Sequence, residues 1–139
     1  LGPRDHQEII DAGVASLEKI THLINDGDVQ RADLDHVGQS AAHGARQSAG
    51  DWWFHLDLDV LSTAALPAVR YPQPGGLNWS QLTQLTLAAL DVPALIGLDL
   101  TIYNPDLDPG GEGAARIVEF VASVAPSLPG AVSPHPAQA

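Results

Sequence analysis

Two runs of strand length, separated by one amphipathic stretch, constrain the fold of this chain more than any other feature. The runs cover residues 52–61 and 94–103. Up to Asp57, aromatic and aliphatic residues occupy both odd and even positions of the first run, which is typical of a strand covered on both faces in a parallel sheet. Between the runs, a helix is predicted to begin near Asn78 and to end before Pro93. Its apolar face consists of Leu82, Leu85, Ala89 and Leu90.

Three further amphipathic segments complete the predicted elements. A helix is predicted over 6–25, with Gly27 beyond its end, and another over 31–47, ended by Gly50. A last helix is predicted over 112–125. The apolar face of the first is formed by Ile10, Val14, Leu17, Ile20 and Ile24, and that of the last by Ile117, Val118, Val121 and Val124.

Strands that alternate with helices predict an α/β fold, a parallel sheet flanked by helices. Two strands are too few for an independent doubly wound domain, so we expect the chain to be part of a larger sheet. The domain is predicted over residues 1–125, and the Pro/Ala-rich tail over 126–139 is expected to be disordered.

Composition excludes several functional classes. The net charge of −11 argues against binding to nucleic acid or to an anionic membrane. The absence of cysteine excludes disulfides, thiolate metal sites and cysteine catalysis. With no signal sequence and no long apolar run, we expect a soluble, cytoplasmic protein. The sequence has no methionine and begins abruptly at Leu1, which favours missing upstream sequence over removal of an initiator.

Asp57 and Asp59 are the strongest candidates for chemistry. Residues two apart on a strand point to the same face, so a strand over 52–61 would place both carboxylates side by side near its C-terminal end. Ligands of open parallel sheets bind at that end. Neighbouring carboxylates must share a proton or hold a cation, and oxygen ligands favour Mn²⁺ or Mg²⁺. The alternative is that one aspartate caps the following turn and the other is solvated.

The histidines and the acidic loop give weaker predictions. His55 shares the predicted strand face with Asp57 and is either a hydrogen-bond donor to a ligand carboxylate or a buried residue bonded to backbone, the latter being preferred. His36 and His43 are expected to be solvated on the helix over 31–47. Residues 104–112 resemble a calcium loop in spacing but lack its glycine, so a turn and a capped helix start are predicted there.

Several short motifs in order resemble the C-terminal half of the arginase/agmatinase (ureohydrolase) family. The similarity extends over about residues 1–125. It is carried by His55-Leu56-Asp57-Leu58-Asp59-Val60-Leu61, Pro67-Ala68, Pro74-Gly75-Gly76-Leu77, Gly97-Leu98-Asp99 and Asn104-Pro105, with Leu1-Gly2-Pro3-Arg4-Asp5 resembling an earlier strand end.

This resemblance implies a three-layer αβα fold and a binuclear manganese centre, with Asp57 and Asp59 as two of the metal ligands. The implied activity is hydrolysis of a linear amidine or guanidino compound, by metal-bridged hydroxide that attacks the guanidinium carbon. The implied partner is a small cationic substrate, and exposed sheet edges lead us to expect a homo-oligomer. The family's other ligand segments, Gly-His-Gly-Asp and Asp-Ala-His-x-Asp, do not occur in these 139 residues, so the chain alone is expected to be catalytically incomplete.

Two departures from the family pattern motivate an alternative. Ser62 stands where the family continues with a third aspartate, and Ile102 stands where its arginase branch has a glutamate that faces the guanidinium. The second departure argues against arginine itself as substrate. A degenerate arginase-fold protein that binds or assembles without turnover is the alternative function.

Overall fold

The computed structural model describes residues 31–69 and 75–130, together with Ile24 and Val29. The helix predicted over 6–25 and the strand end at residues 1–5 therefore lie outside the described residues. The described elements, in chain order, are α1 (Leu34–Ala49), β1 (Trp52–Asp57), α2 (Trp79–Leu90), β2 (Leu95–Thr101) and α3 (Glu112–Val124).

β1 and β2 pair in parallel and form the two-stranded sheet of the described residues. In this register His55 lies opposite Asp99 and Asp57 lies opposite Thr101. Because α2 crosses over between the strands, they run parallel, and their C-terminal ends lie at the same edge of the sheet. The predicted βαβ unit and the α/β class with a parallel sheet flanked by helices are confirmed.

One face of the sheet contributes to the core, and the other is not covered by the helices that the structure describes. Trp52 and Leu56 of β1 join a single buried cluster with residues from all three helices. On the other parity of β1, Trp53 is 56% exposed and His55 is also exposed. The prediction that β1 is covered on both faces is therefore wrong, because the described helices pack against only one of them.

The starts of α1 and α2 follow from short polar side chains that satisfy free backbone N–H groups. The Asp33 carboxylate accepts a hydrogen bond from the Asp35 N–H at the start of α1. At α2, Asn78 and Gln81 form a reciprocal capping box, each side chain bonded to the other's backbone N–H at 2.9 Å. α1 ends, as predicted, at Gly50, whose φ of +83° suits glycine.

α3 buries only part of the predicted face. Val118 and Val121 are exposed, and the residues that contact the core are Ile117, Phe120 and Val124. Their spacing of three and four residues matches one side of a helix. The prediction is therefore confirmed for Ile117 and Val124 and wrong for Val118 and Val121, because the four residues cover a wider arc than the contact. It also omitted the aromatic side chain of Phe120.

Asp108 organises the loop between β2 and α3. Its Oδ1 accepts a hydrogen bond from the Gly113 N–H at 3.1 Å. Its Oδ2 accepts bonds from the Ala114 N–H at 2.9 Å and from the Tyr103 hydroxyl at 2.7 Å. These bonds, that of Ala114 first and those of Tyr103 and Gly113 next, lower the pKa of Asp108. The predicted turn and capped helix start are confirmed.

The described chain continues a short way past α3. A 3₁₀ turn over Ala125–Ser127 follows the helix, and Leu128 contacts the core. Residues 131–139 of the predicted tail lie outside the described residues. Among the residues that the structure describes, no helix has the length and apolar character required to cross a membrane.

The close approach of α1 and α2 gives a first prediction. A Cβ added at Gly38 would overlap the Leu85 carbonyl oxygen and lie 3.1 Å from the Ala88 Cβ, and both of these atoms belong to α2. Gly38→Ala should force the helices apart and lower the free energy of unfolding, measured by urea denaturation, by about 1–3 kcal/mol. Gly44→Ala is the control, because a Cβ there meets open space. It should raise stability by up to about 1 kcal/mol, and equal effects of the two substitutions would contradict this packing.

The Asp108 hydrogen bonds give a second prediction, on acid stability. Because folding lowers the pKa of Asp108, its contribution is present above its ordinary value of 3.8 and is lost as the pH falls through the lower folded value. Asp108→Asn should lower the Tm at pH 7 and bring the Tm closer to that of the parent chain as the pH falls below about 4. Asp106→Asn, which removes an exposed carboxylate of the same loop, is the control. A constant Tm difference at all pH values would rule out this role.

Candidate metal centre

Asp57 and Asp59 lie at the C-terminal edge of the sheet, but not on one strand. β1 ends at Asp57, and Asp59 belongs to a 3₁₀ turn over Leu58–Val60. The prediction of a strand that includes both is therefore wrong. The physical reason is a cap: the Asp57 Oδ1 accepts the Asp59 backbone N–H at 2.8 Å and starts the turn.

The alternative interpretation is confirmed for the cap made by Asp57, whereas Asp59 is only partly exposed and has one buried oxygen. Its Oδ1 is buried and has no hydrogen-bond partner among the described residues. Burial first, and the charge of Asp57 second, raise the pKa of Asp59. A buried oxygen without a partner is costly and uncommon in folded proteins. The turn thus combines a backbone cap made by one carboxylate with an unsatisfied oxygen on the other.

The two carboxylates have the chemistry of ligands for a hard divalent cation. Carboxylate oxygens are ligands that Mg²⁺ and Mn²⁺ bind in proteins. A cation bound here would offset the repulsion between the two carboxylates and would provide a partner for Asp59 Oδ1. Within the described ranges, no group of three or more His, Cys, Asp or Glu side chains is arranged to hold a metal ion. The pair therefore fits part of a ligand set, not a complete one.

The loop that follows the turn is tied to it by backbone pairing. Leu61 and Leu77 form an isolated parallel bridge, with the Leu77 N–H bonded to the Val60 carbonyl and the Ser62 N–H bonded to the Leu77 carbonyl, both at 2.9 Å. Gly76 has a φ of +88°, and a Cβ there would lie 2.6 Å from the Ser62 nitrogen. The glycine is therefore required for the approach that fixes the turn carrying Asp59.

A second polar cluster lies on the open face of the sheet. His55 Nδ1 and Asp99 Oδ2 are 2.7 Å apart, and the Trp53 indole N–H donates to Asp99 Oδ1. The indole lies against Gly97, where a Cβ would overlap it. The hydrogen bonds from Trp53 and His55, in that order, lower the pKa of Asp99.

The preferred prediction for His55, a buried histidine bonded to backbone, is wrong. Its side chain is 59% exposed and its partner is the Asp99 carboxylate on the neighbouring strand. The sequence analysis noted Asp99 only as part of a motif and gave it no role. The alternation of side chains within one strand does not relate two strands, and the pairing depends on the register between β1 and β2, which the sequence did not provide.

The other histidines of the described residues do not lie with Asp57 and Asp59 in a metal-binding group. His36 and His43 are exposed on α1, as predicted, and neither joins the two aspartates in a metal-binding group of the described residues. Asn104 caps a short turn through a bond from the Asp106 N–H at 3.0 Å. His6 and His22 belong to the helix predicted over 6–25, which lies outside the described residues.

Known proteins resemble this chain in both sequence and fold. An arginase of Brucella melitensis is 35% identical over 81 residues, which is 57% of this chain and 26% of that protein. A formimidoylglutamase of Geobacillus kaustophilus is 38% identical over 63 residues, 45% of this chain and 20% of that protein. The structure of an arginase from Bacillus caldovelox superposes with a TM-score of 0.70 at 20% identity, covering 87% of this chain and 38% of that one.

These comparisons settle the fold and the lineage together. The structural match shows that the parallel sheet and its helices have the arginase fold. The chain spans about a quarter of the length of the curated arginases that it matches. The match to the family itself is far more extensive, since it covers residues 2–125 and thus nearly all of the predicted domain. The chain belongs to the Arginase family.

Proposed function

We propose that the protein carrying this chain is a manganese-dependent hydrolase of linear amidines or guanidino compounds. The observation that carries the proposal is the buried Asp59 Oδ1, which has no partner in the described residues and lies beside the Asp57 carboxylate at the ligand-binding edge of a parallel sheet. Membership of the Arginase family supports the same chemistry, since the similar proteins include arginase and formimidoylglutamase.

Asp57 and Asp59 are the proposed metal ligands, and their structural roles differ. Asp57 uses one oxygen to cap the turn, so its other oxygen is the donor available to a cation. Asp59 presents the Oδ1 that no described hydrogen bond satisfies. The cap holds the backbone of Asp59 in place. The parallel bridge between Leu61 and Leu77 then holds the turn against the adjoining loop. The ligands are thus positioned before a metal binds.

When bound, a manganese pair supplies an activated water nucleophile and polarises the substrate. The chain's own residues hold the carboxylates at the sheet edge. The net charge of this chain, −11, supports attraction of a small cationic substrate. Because the described residues provide only two acidic ligands at this point, the remaining ligands of a two-metal centre must come from outside them, and turnover is proposed for the intact protein.

Manganese binding gives the third prediction. In the intact protein, reconstitution with Mn²⁺ should give about two manganese ions per chain by elemental analysis. Mn²⁺ at about a hundred times its Kd should stabilise the fold by about 2.7 kcal/mol, seen as a higher Tm. Asp59→Asn should remove most of this Tm increase, because it replaces the unsatisfied charged oxygen. It should also reduce release of urea or amide by more than the roughly 10- to 100-fold typical of losing an outer-shell partner.

Asp106→Asn is the matched control, because it removes one negative charge from an exposed site in the loop after β2. It should retain manganese binding and hydrolysis. Full activity in Asp57→Ala or Asp59→Asn would refute the proposed ligands. An intact protein that folds but binds no manganese after reconstitution would instead support the alternative, an arginase-fold module that binds or assembles without turnover.

A further inference from the structure

A groove with a volume of about 550 Å³ lies between α2 and α3. Its lining includes an aromatic pair, since the rings of Trp79 and Phe120 lie 6.0 Å apart between centroids. The Trp79 indole is held in place because its N–H donates to the Ala65 carbonyl at 2.9 Å. Leu87 adds a large aliphatic side chain that is 37% exposed. The groove therefore presents an apolar surface whose aromatic part is already fixed by the fold.

The polar groups that line this groove have partners within the described chain. Its charged lining residues, Arg116 and Glu119, form an ion pair with 3.1 Å between Nη1 and Oε2. The hydroxyls of Thr83 and Ser123 donate to backbone carbonyls of their own helices, at 2.8 and 2.6 Å. A charged occupant would find no unpaired charge here, and its desolvation would be costly. The groove thus favours an uncharged, mainly apolar occupant.

The sequence after α3 has a matching composition. Residues 131–139 contain no Asp, Glu, Lys or Arg, and they include Pro134 and Pro136. Proline favours extended backbone conformations, and extended proline-containing segments bind aromatic-lined grooves at a low entropic cost. Nine residues at about 3.1 Å each reach about 28 Å. The groove residues from Arg116 to Ser123 span only about 10 Å of helix at 1.5 Å per residue.

The described chain turns close to the groove just before this segment begins. Ser123, which lines the groove, is one residue from the end of α3. After the 3₁₀ turn, Leu128 packs against the buried cluster to which Phe120 also belongs. Gly130 then has a φ of +76°, a left-handed conformation that is typical of tight turns. Residue 131 therefore follows a turn that is anchored beside the lower end of α3.

We propose that the groove between α2 and α3 is a docking site for residues 131–139 of this chain, with Pro134 and Pro136 against Trp79 and Phe120. The inference goes beyond the proposed hydrolase and does not depend on it. Composition alone predicts disorder for this segment, so docking supplies the apolar contacts that the segment cannot make by itself. A second copy of the chain and an unrelated peptide are the competing occupants.

Engineered cysteine pairs test this proposal, because the sequence contains no cysteine that could form other disulfides. Ala137→Cys is combined with Glu119→Cys inside the groove, or with Val118→Cys outside it, in the intact protein. The two α3 positions are adjacent in sequence and similarly exposed, at 66% for the Glu119 side chain and 67% for Val118. A docked segment should form the groove disulfide about 10-fold faster than the control disulfide, because docking raises the effective concentration at one side of the helix.

Two further pairs make the result independent of one alignment of the segment in the groove. Ser133→Cys replaces Ala137→Cys in a second set, and at least one of the two sets should show the preference for Glu119→Cys. Replacing Pro134 and Pro136 by glycine in that set should bring the two rates within about threefold, because the extended conformation is no longer favoured. The rates are measured in a glutathione buffer by non-reducing electrophoresis.

Each other outcome overturns the proposal. Equal rates for the groove and control pairs in both sets would show that the segment does not occupy the groove. Disulfide-linked dimers in place of the disulfide within one chain would assign the groove to a second copy. A preference that persists unchanged without the two prolines would remove their contact with the aromatic pair from the assignment.

Discussion

The parallel pairing of β1 with β2 through α2 is the constraint on which the rest of the described structure depends. Antiparallel strands would place their C-terminal ends at opposite edges, whereas a parallel pair brings both to one edge. Asp57 and Thr101 are partners at that edge, so the acidic turn after β1 and the loop after β2 meet there. The register also pairs His55 with Asp99 one step earlier. Shifting it by one residue would separate both pairs.

Two buried side-chain oxygens in the described chain have no hydrogen-bond partner, Asp59 Oδ1 at the site edge and Thr86 Oγ1 within α2. At the starts of the three described helices, the side chains of Asp33, Asn78 and Asp108 accept hydrogen bonds from free backbone N–H groups. Asp57 likewise accepts a hydrogen bond from a backbone N–H, that of Asp59, at the start of the turn after β1. The neighbouring Asp59 then remains with a buried oxygen and a raised pKa. A buried charge costs stability unless a ligand compensates it, and this supports the cationic ligand proposed for Asp59.

Local patterns predicted the elements well because their signals are local. The Asn78 and Gln81 capping box, the Gly50 helix end and the two strand runs each depend on residues within a few positions of one another. The strand end at Asp57 was not predictable from the alternation of side chains. The strand ends there because the Asp57 side chain accepts a hydrogen bond from the Asp59 N–H and starts a turn. The contact of Phe120 with the core and the His55–Asp99 pair were missed for a different reason. Both depend on which elements meet in space.

The site was predictable to the extent that it depends on residue type and position. The two aspartates were predicted near the C-terminal end of the first strand, where both lie, although Asp59 belongs to the turn after the strand and not to the strand itself. Ile102 shows what sequence alone cannot reveal, since its departure from the family pattern was visible but its left-handed backbone was not. Neither kind of exception, an unsatisfied oxygen or a positive φ, is confined to this edge, because Thr86 has an unsatisfied oxygen in α2 and Ala94 has a positive φ at the opposite edge of the sheet. The support for a site at this edge therefore comes from the chemistry of the two neighbouring carboxylates and not from broken local rules alone.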